Sequence, residues 1–363
     1  MKVLSLAADE GGCGYYRVRA PAYEIGKLGV DITVADGIDV ISEKNLSTGM
    51  VTVHEVQTDA DLITVQRPLD NGLNAMIRQA QKQGIAVVVE MDDDFSAIHR
   101  DNIAYDQVHG RKDFGVHWLE DSANIADHVT ISTPRLAKFA RHGRYSVLRN
   151  CVPESIFDVD ITKKSEVPGP RIGWSGSVQT HPNDLQATKG GVAEVLKEKG
   201  LDFNVIGDGK YVHRNLGLDK DTKVLHTGWV EIEHYYHFLS NFLDIGIVPL
   251  EMSPFNEAKS ALKGLEFAAL GIPYVASPTG EYARMEAYGI GKTAKTRGDW
   301  YKHLTRLIER SSETERIARE GRDKIKAEHT YRVNAPQWIE AWEKAIDYRK
   351  TRHEQAATDR SSG

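Results

Sequence analysis

SPFNEAKSALKGLEFAALGIPYVAS, residues 253–277, is the most informative stretch of this chain. An apolar run at 245–250, typical of a buried strand, precedes it, and its centre has the composition of a helix. That helix should end at Gly271, because Pro273 follows closely. Residues 274–276 then form a second apolar strand. Strand, helix and strand in this order indicate one unit of a parallel sheet covered by helices.

The start of that helix has the features of a site for a phosphorylated sugar. Lys259 and Lys263 lie on one face of the predicted helix start, where exposed N–H groups and the helix dipole already favour an anion. Glu266 follows near the same face, and its carboxylate can accept hydrogen bonds from sugar hydroxyls. The alternative is a solvated amphipathic helix that carries ordinary surface lysines.

The segment resembles the nucleotide-sugar motif of GT-B glycosyltransferases, in particular glycosyltransferase family 4. In that family two glutamates flank the helix start: the second binds the nucleotide ribose and the first lies near the donor sugar. Glu266 matches the second, whereas the first falls on Ala258, with Glu257 one residue out of register. The resemblance covers nearly all of the chain. It implies an α/β fold of two Rossmann-like doubly wound domains, whose C-terminal helix crosses back to the first domain.

Length and composition fit a protein of two domains. The chain has 363 residues, of which 40% are hydrophobic and 27% charged, as in globular proteins. Its two cysteines, Cys13 and Cys151, do not predict a disulfide framework. The first residues do not have the pattern of a signal peptide, and no apolar run is long enough to predict a membrane span. These features predict a cytoplasmic protein.

Charge is unevenly distributed along the chain. Residues 1–160 hold 16 Lys and Arg against 24 Asp and Glu, a net charge of −8, whereas the remaining residues hold 30 against 28, a net of +2. An acidic N-terminal half is a poor electrostatic match for a phosphate-rich polymer. The charge pattern therefore disfavours a nucleic-acid acceptor without excluding one.

Each half of the chain opens with a strand that runs into a glycine loop, and strands then alternate with helices. Together with the resemblance, this plan predicts an acceptor-binding domain, a nucleotide-sugar-binding domain, a crossover helix and a disordered tail. Their predicted bounds are 1–160, 171–330, 331–350 and 351–363, with a linker at 158–170.

The first glycine loop, at residues 11–17, has two interpretations. Its spacing does not match the dinucleotide fingerprint, so a simple tight turn competes with a ligand-binding loop. In the resembled fold the equivalent loop contacts the sugar donor or the acceptor. We therefore expect Gly12, Gly14 and Arg17 to contact the donor.

The loop that opens the second half, residues 173–181, can bind a diphosphate through Gly176 and Ser177. Family 4 members commonly carry an arginine and a lysine in this loop. Here the arginine position is Trp174, so we expect Lys259 and Lys263 to supply the positive charge instead.

His181 and Asp184 resemble a variant of this loop, in which His181 would touch phosphate and Asp184 could cap the following helix. By the resemblance, the remaining loops of this half wrap the nucleotide. The other predicted donor contacts are Gly207, Gly228, Trp229, Ser260, Ala261, Leu262 and Glu266.

Asp92, Asp93 and Asp94 follow an apolar strand in the first half. Three interpretations compete: a metal-binding cluster, an acceptor-binding or acid/base cluster, and a solvated turn with a helix cap. We favour acceptor binding by Asp92 and Asp94, joined by Arg67, which ends another strand. We expect the catalytic residues to be Lys259, Lys263 and Asp93, with no metal or other cofactor.

The sequence therefore predicts a retaining, metal-independent glycosyltransferase that uses a UDP- or GDP-type sugar donor and an acceptor hydroxyl. The acceptor could be a glycan, a lipid-linked saccharide, a protein or a modified nucleobase in DNA. Two alternatives are a sugar-nucleotide epimerase and a catalytically silent sugar-nucleotide binding module, since Ala258 stands at an acidic position.

Overall fold

Two parallel six-stranded sheets organise the protein, and each lies in its own unit. The computed structural model describes residues 1–161 and 169–361. One unit comprises Met1–Ile98, Ala104–Asn150 and Tyr331–Gly363, and the other comprises His99–Ile103 and Cys151–Thr330. Residues 99–103 and 151–160 thus group with the second unit, although the sequence assigned them to the first. Residues 162–168 of the predicted linker lie outside the described residues.

The first sheet is parallel, and its central strands are buried along their whole length. The strands of this unit are β1 (Lys2–Leu6), β2 (Asp31–Ala35), β3 (Val40–Lys44), β4 (Val51–Val56), β5 (Leu62–Gln66), β6 (Ala86–Met91), β7 (His128–Ile131) and β8 (Tyr145–Val147). Their order is β2-β1-β5-β6-β7-β8, while β3 and β4 form a separate antiparallel hairpin that the sequence analysis did not predict. Every residue of β5 and β6 is buried, as expected where both faces of a parallel sheet are covered.

Helices of the first unit follow the strands. They are α1 (Gly12–Gly14), α2 (Ala20–Lys27), α3 (Asn71–Lys82), α4 (Tyr105–His109) and α5 (Val116–Ile125). A π-helical segment, Tyr15–Arg19, joins α1 to α2. The carboxylate of Asp70 begins α3 by accepting a hydrogen bond from the Leu73 N–H at 2.8 Å.

The second sheet is also parallel and has the strand order of a dinucleotide-binding fold. Its strands are β9 (Ile172–Gly176), β10 (Phe203–Gly207), β11 (Val224–His226), β12 (Ile245–Val248), β13 (Tyr274–Ala276) and β14 (Lys292–Thr293). The order β11-β10-β9-β12-β13-β14 corresponds to 3-2-1-4-5-6. The strand order therefore reverses between β9 and β12, which we call the switch point. The sheet grows through β10 and β11 on one side of it, and through β13 and β14 on the other.

Helices of the second unit pack around a core that includes Trp300, Phe203 and Leu185. They are α6 (Gly191–Lys199), α7 (Val212–Leu216), α8 (Ile232–Phe242), α9 (Pro254–Glu257), α10 (Leu262–Ala269), α11 (Gly280–Ala287), α12 (Arg297–Glu309) and α13 (Ser311–Glu328). A capping box at Thr296 and Asp299 begins α12.

The last helix, α14 (Tyr331–Ser361), belongs to the first unit, as the fold prediction required. The Tyr331 hydroxyl donates to the carbonyl oxygen of Tyr16, and the Arg349 guanidinium pairs with the fully buried Asp127. The helix continues to Ser361 where a disordered tail was predicted, because Glu, Gln and Ala favour helix even without an apolar face. Among the described residues, no helix is both long and apolar enough to cross a bilayer.

Candidate functional site

The change of direction between β9 and β12 marks the candidate site of the second unit. In open parallel sheets, ligands bind outside the carboxyl ends of the strands, at the point where the strand order reverses. At this point the loop after β9 and the loop after β12 leave the sheet in opposite directions. Of the predicted donor contacts, Ser177 and His181 follow β9, Ser260 and Ala261 lie between β12 and α10, and Leu262 and Glu266 lie on α10.

Asp184 ties the two loops together. Its buried carboxylate accepts hydrogen bonds from the Glu251 N–H at 2.8 Å and from the Asn256 side-chain amide at 2.7 Å. It also lies 2.8 Å from His181 Nδ1 and so orients the imidazole ring. Asp184 makes no side-chain cap to the helical turn that follows it, so the capping prediction is wrong.

Three glycines predicted to bind the sugar donor meet at the strand ends. Gly207 has a φ of 126°, and a Cβ there would lie 2.3 Å from the carbonyl oxygen of Gly176. Gly207 also forms an isolated antiparallel bridge with Gly228. The structure thus brings Gly176, Gly207 and Gly228 together into a surface of backbone atoms, which we call the glycine surface. Trp229, the next residue after Gly228, is 78% exposed.

Glu266 is buried within α10, with only 2% of its surface exposed. Its Oε2 accepts a hydrogen bond of 3.2 Å from the hydroxyl of Tyr235, on α8. The same hydroxyl lies 2.8 Å from the Oγ of Ser175, on β9. Neither Tyr235 nor Ser175 was predicted from the sequence, because nothing in the local pattern of α8 distinguishes Tyr235 from the other aromatic residues of that helix.

The prediction that Lys259 and Lys263 share one helical face is wrong. Ser253 caps a separate short helix, α9, by accepting from the Asn256 N–H at 3.3 Å. Lys259 therefore lies in the turn after α9, with its ammonium 4.5 Å from the ring centre of Phe255. Lys263 is the second residue of α10, whose N-cap is Ala261. Ser260, Ala261 and Leu262 do lie at the start of that helix, beside both lysines.

Two positions at which the resembled family has charged residues are apolar and buried here. Ala258 is 1% exposed and Trp174 is 3% exposed, within the core of the second unit. The neighbouring Glu257 accepts a hydrogen bond from the Gly280 N–H at 3.3 Å. Neither Ala258 nor Trp174 can replace the charge that the family has at its position.

A second polar cluster lies at the strand ends of the first unit. Arg67 follows β5 with a φ of 49°, a conformation that costs about 1–3 kcal/mol for a residue other than glycine. Arg67 Nε and Nη2 donate to the two carboxylate oxygens of Asp92, with Nε 2.6 Å from Oδ1. The remaining nitrogen, Nη1, lies 3.4 Å from Asp9 Oδ2. A bidentate ion pair of this kind compensates for the strained backbone.

The other two aspartates differ in their surroundings. Asp94 is buried and pairs with the ammonium of Lys138 at 2.6 Å and with the Ser96 hydroxyl. Asp93 is partly exposed, which makes it the most accessible of the three carboxylates. No group of three or more His, Cys, Asp or Glu side chains is arranged to hold a metal ion in residues 1–161 and 169–355, for which side chains are described.

Arg17 stabilises the first unit from its interior, and the prediction that it contacts the sugar donor is wrong. Its side chain is buried, with Nε 2.7 Å from Glu90 Oε1 and Nη1 2.7 Å from both the Leu148 carbonyl oxygen and Asn150 Oδ1. Gly14 is likewise required by packing, since a Cβ there would lie 1.9 Å from the Asp9 carbonyl oxygen. Gly12 remains exposed and open to a ligand.

Comparisons with known proteins agree with this architecture. Residues 191–340 match the model of a family described as Glycosyl transferase-like. No curated protein sequence matches the chain. Many solved structures resemble it at low sequence identity, among them sucrose-phosphate synthase from Thermosynechococcus elongatus, HepE from Anabaena with UDP and glucose, and TarM.

Sucrose-phosphate synthase is 13% identical with a TM-score of 0.59, over 95% of this chain and 99% of that chain. HepE is 12% identical with a TM-score of 0.62, over 94% and 98%. TarM is 12% identical with a TM-score of 0.56, over 83% and 63%. The likeness shows the fold, and the predicted architecture of two Rossmann-like units, the GT-B fold, is confirmed.

Proposed function

We propose that the protein is a glycosyltransferase that moves a sugar from a UDP- or GDP-type nucleotide sugar to an acceptor hydroxyl. The observation that carries this proposal is the buried carboxylate of Glu266, which the Tyr235 hydroxyl links to Ser175 on β9, where the strand order of a Rossmann-type sheet reverses. The family match supports glycosyl transfer, and the UDP held by the HepE structure supports a nucleotide-sugar donor.

In this proposal the glycine surface and the start of α10 bind the diphosphate, and Glu266 binds the ribose. As the bond from the anomeric carbon to the diphosphate breaks, negative charge grows on the leaving oxygen. Lys263, Lys259 and the N–H groups at the helix start stabilise that charge without a metal. Retention of the anomeric configuration is part of the proposal.

The first unit supplies the acceptor site in this proposal. The hydrogen bonds between Arg67 and Asp92 fix the positions of both side chains, and Asp93, the next residue, has the accessible carboxylate. Carboxylates and a guanidinium suit the hydroxyls of a saccharide acceptor. Cys13 and Cys151 form no disulfide, which supports the cytoplasm as the location of the reaction.

A catalytically silent sugar-nucleotide binding module is the second candidate. The observation that favours it is Ala258, which is buried and carries no charge where the resembled family has an acidic residue near the donor sugar.

One experiment separates the two candidates. Release of free nucleoside diphosphate should be measured with a panel of UDP- and GDP-sugars, each with and without saccharide acceptors. A glycosyltransferase releases the diphosphate faster when an acceptor is present. Binding of UDP or GDP with no turnover on any donor would favour the silent module instead.

A further inference from the structure

Two hydrogen bonds in series link Glu266 to residues on two other elements of the second unit. Ser175 lies on β9, Tyr235 on α8 and Glu266 on α10. The Ser175 Oγ is 2.8 Å from the Tyr235 hydroxyl, which is 3.2 Å from Glu266 Oε2. Ser175 and Glu266 are both buried. These hydrogen bonds therefore connect β9, at the switch point, to the carboxylate that the proposed function assigns to the ribose.

The direction of these hydrogen bonds is fixed by chemistry. An ionised carboxylate only accepts, so the single proton of Tyr235 is donated to Glu266 and the Ser175 hydroxyl in turn donates to Tyr235. Burial, and then the charge of Glu266, raise the pKa of Tyr235 well above its ordinary value. Tyr235 consequently stays protonated, and remains a hydrogen-bond donor, throughout the pH range of an assay.

Such a bond orients the carboxylate. A glutamate side chain loses rotational freedom when it binds a ligand, and a group already held in one orientation loses less. Tyr235 uses one of about four acceptor positions on the carboxylate and thereby sets the plane in which the others lie. The vicinal hydroxyls of a ribose are recognised well only by a carboxylate in a defined plane.

We propose that Tyr235 is a positioning residue that orients Glu266 toward the ribose hydroxyls, so that the site prefers ribonucleotide donors to 2′-deoxyribonucleotide donors. This inference rests on the proposed function, because it assumes that Glu266 binds the ribose. It assigns the preference to Tyr235 and Ser175, neither of which needs to touch the ligand.

The test compares UDP with 2′-deoxy-UDP, and GDP with 2′-deoxy-GDP, by calorimetry. Tyr235→Phe keeps the ring and removes the hydroxyl. We expect it to weaken ribonucleotide binding about five- to tenfold, as for the loss of one hydrogen bond, and to change deoxyribonucleotide binding little. The preference for ribose should shrink by the same factor. Ser175→Ala should shift it in the same direction by a smaller factor.

Tyr274→Phe is the matched control. It removes another buried tyrosine hydroxyl of the same unit, one that donates to the Ile290 carbonyl oxygen at 3.3 Å. It should leave the preference for ribose at its wild-type value even if it lowers the melting temperature.

Three results would be decisive against the inference. An unchanged ratio of ribo- to deoxyribonucleotide affinity in folded Tyr235→Phe and Ser175→Ala proteins would overturn it, while the proposed function would survive. Equal loss of affinity for both nucleotides would show that Tyr235 is only a packing residue. Failure of the wild-type protein to bind either nucleoside diphosphate would remove the proposed function as well.

Discussion

The polar clusters of the two units are built on different principles. In the first unit opposite charges pair directly: Arg67 with Asp92, Arg17 with Glu90, and Lys138 with Asp94. In the second unit two buried carboxylates, Glu266 and Asp184, accept from hydroxyl, amide, imidazole and backbone N–H groups.

The difference has a consequence for experiment. Breaking a buried ion pair leaves an uncompensated charge, so a change to the Arg17–Glu90 pair of the first unit should mainly lower stability. Changes around the carboxylates of the second unit should mainly alter ligand binding and catalysis. The following predictions are ordered by the expected change in free energy.

The largest effect is expected for Arg17→Met. Removing the guanidinium leaves Glu90 buried beside the Thr130 hydroxyl without its cation. The free energy of unfolding should fall by about 3–5 kcal/mol, as measured by urea denaturation. The affinity for UDP or GDP should not change at temperatures at which the protein is folded.

The double variant Arg17→Met/Glu90→Met is the control for Arg17→Met, because two apolar residues leave no charge to compensate. It should recover most of the lost stability. A folded Arg17→Met protein that has lost nucleotide affinity would instead support the original prediction that Arg17 contacts the sugar donor.

The next largest effect is expected for Lys263, at the start of α10, and for Lys259, which precedes that helix. Charge on the leaving oxygen is greatest in the transition state, so Lys263→Ala should lower kcat more than it raises KM for the donor. The loss in kcat should be about 10²–10³-fold, and that for Lys259→Ala should be similar or smaller.

Lys220→Ala, at an exposed lysine of the same unit, should retain wild-type kinetics. If both Lys259→Ala and Lys263→Ala also retain kcat, the positive charge comes from another group. His181, oriented by Asp184, would then be the next residue to test.

Asp184→Asn should have a smaller effect. The oxygen of an amide at this position can still accept from the Glu251 N–H and the Asn256 side chain, but both bonds lose their charge assistance and the amide NH2 faces His181 Nδ1, which costs about 1–3 kcal/mol. KM for the sugar donor should rise about tenfold as the two loops loosen. Asp219→Asn alters a carboxylate that accepts from Thr222 in another loop, and should leave KM unchanged. Equal KM values for the two variants would contradict the role assigned to Asp184.

The smallest effect is expected on chelation. Lys138 and Arg67 already neutralise Asp94 and Asp92, so EDTA should leave most of the turnover intact. Loss of activity that Mn²⁺ restores would revive the metal-binding interpretation of the Asp92–Asp94 cluster.

Much of the fold was predictable because the sequence patterns that specify its strands and turns are local. The apolar runs that become β1, β5, β6 and β12 can be recognised from a few residues each, as can the glycines that follow β1. The hairpin of β3 and β4 was missed because its strands are mostly exposed and carry little apolar pattern. The start of α10 was misplaced because Ser253 caps a separate short helix before it.

The candidate site was predictable only in part, since its partners are distant in sequence. Glu266 lies on a recognisable helix, and Gly176 and Gly207 lie at the ends of recognisable strands. The partners of Arg17 lie more than seventy residues away, and so a motif could not show that its side chain is buried. Tyr235 reaches Glu266 from another helix for the same reason.

The most direct test of the account is the affinity of Glu266→Ala for UDP and GDP, measured by calorimetry. Charge-assisted hydrogen bonds from a carboxylate to a ribose contribute about 1.5–3 kcal/mol, so affinity should fall about ten- to 150-fold in a protein that remains folded. Glu257→Ala, which changes the neighbouring glutamate bound to the Gly280 N–H, should bind the nucleotide nearly as the wild type does. Unchanged affinity in folded Glu266→Ala would contradict the assignment of the second unit as the nucleotide-sugar site.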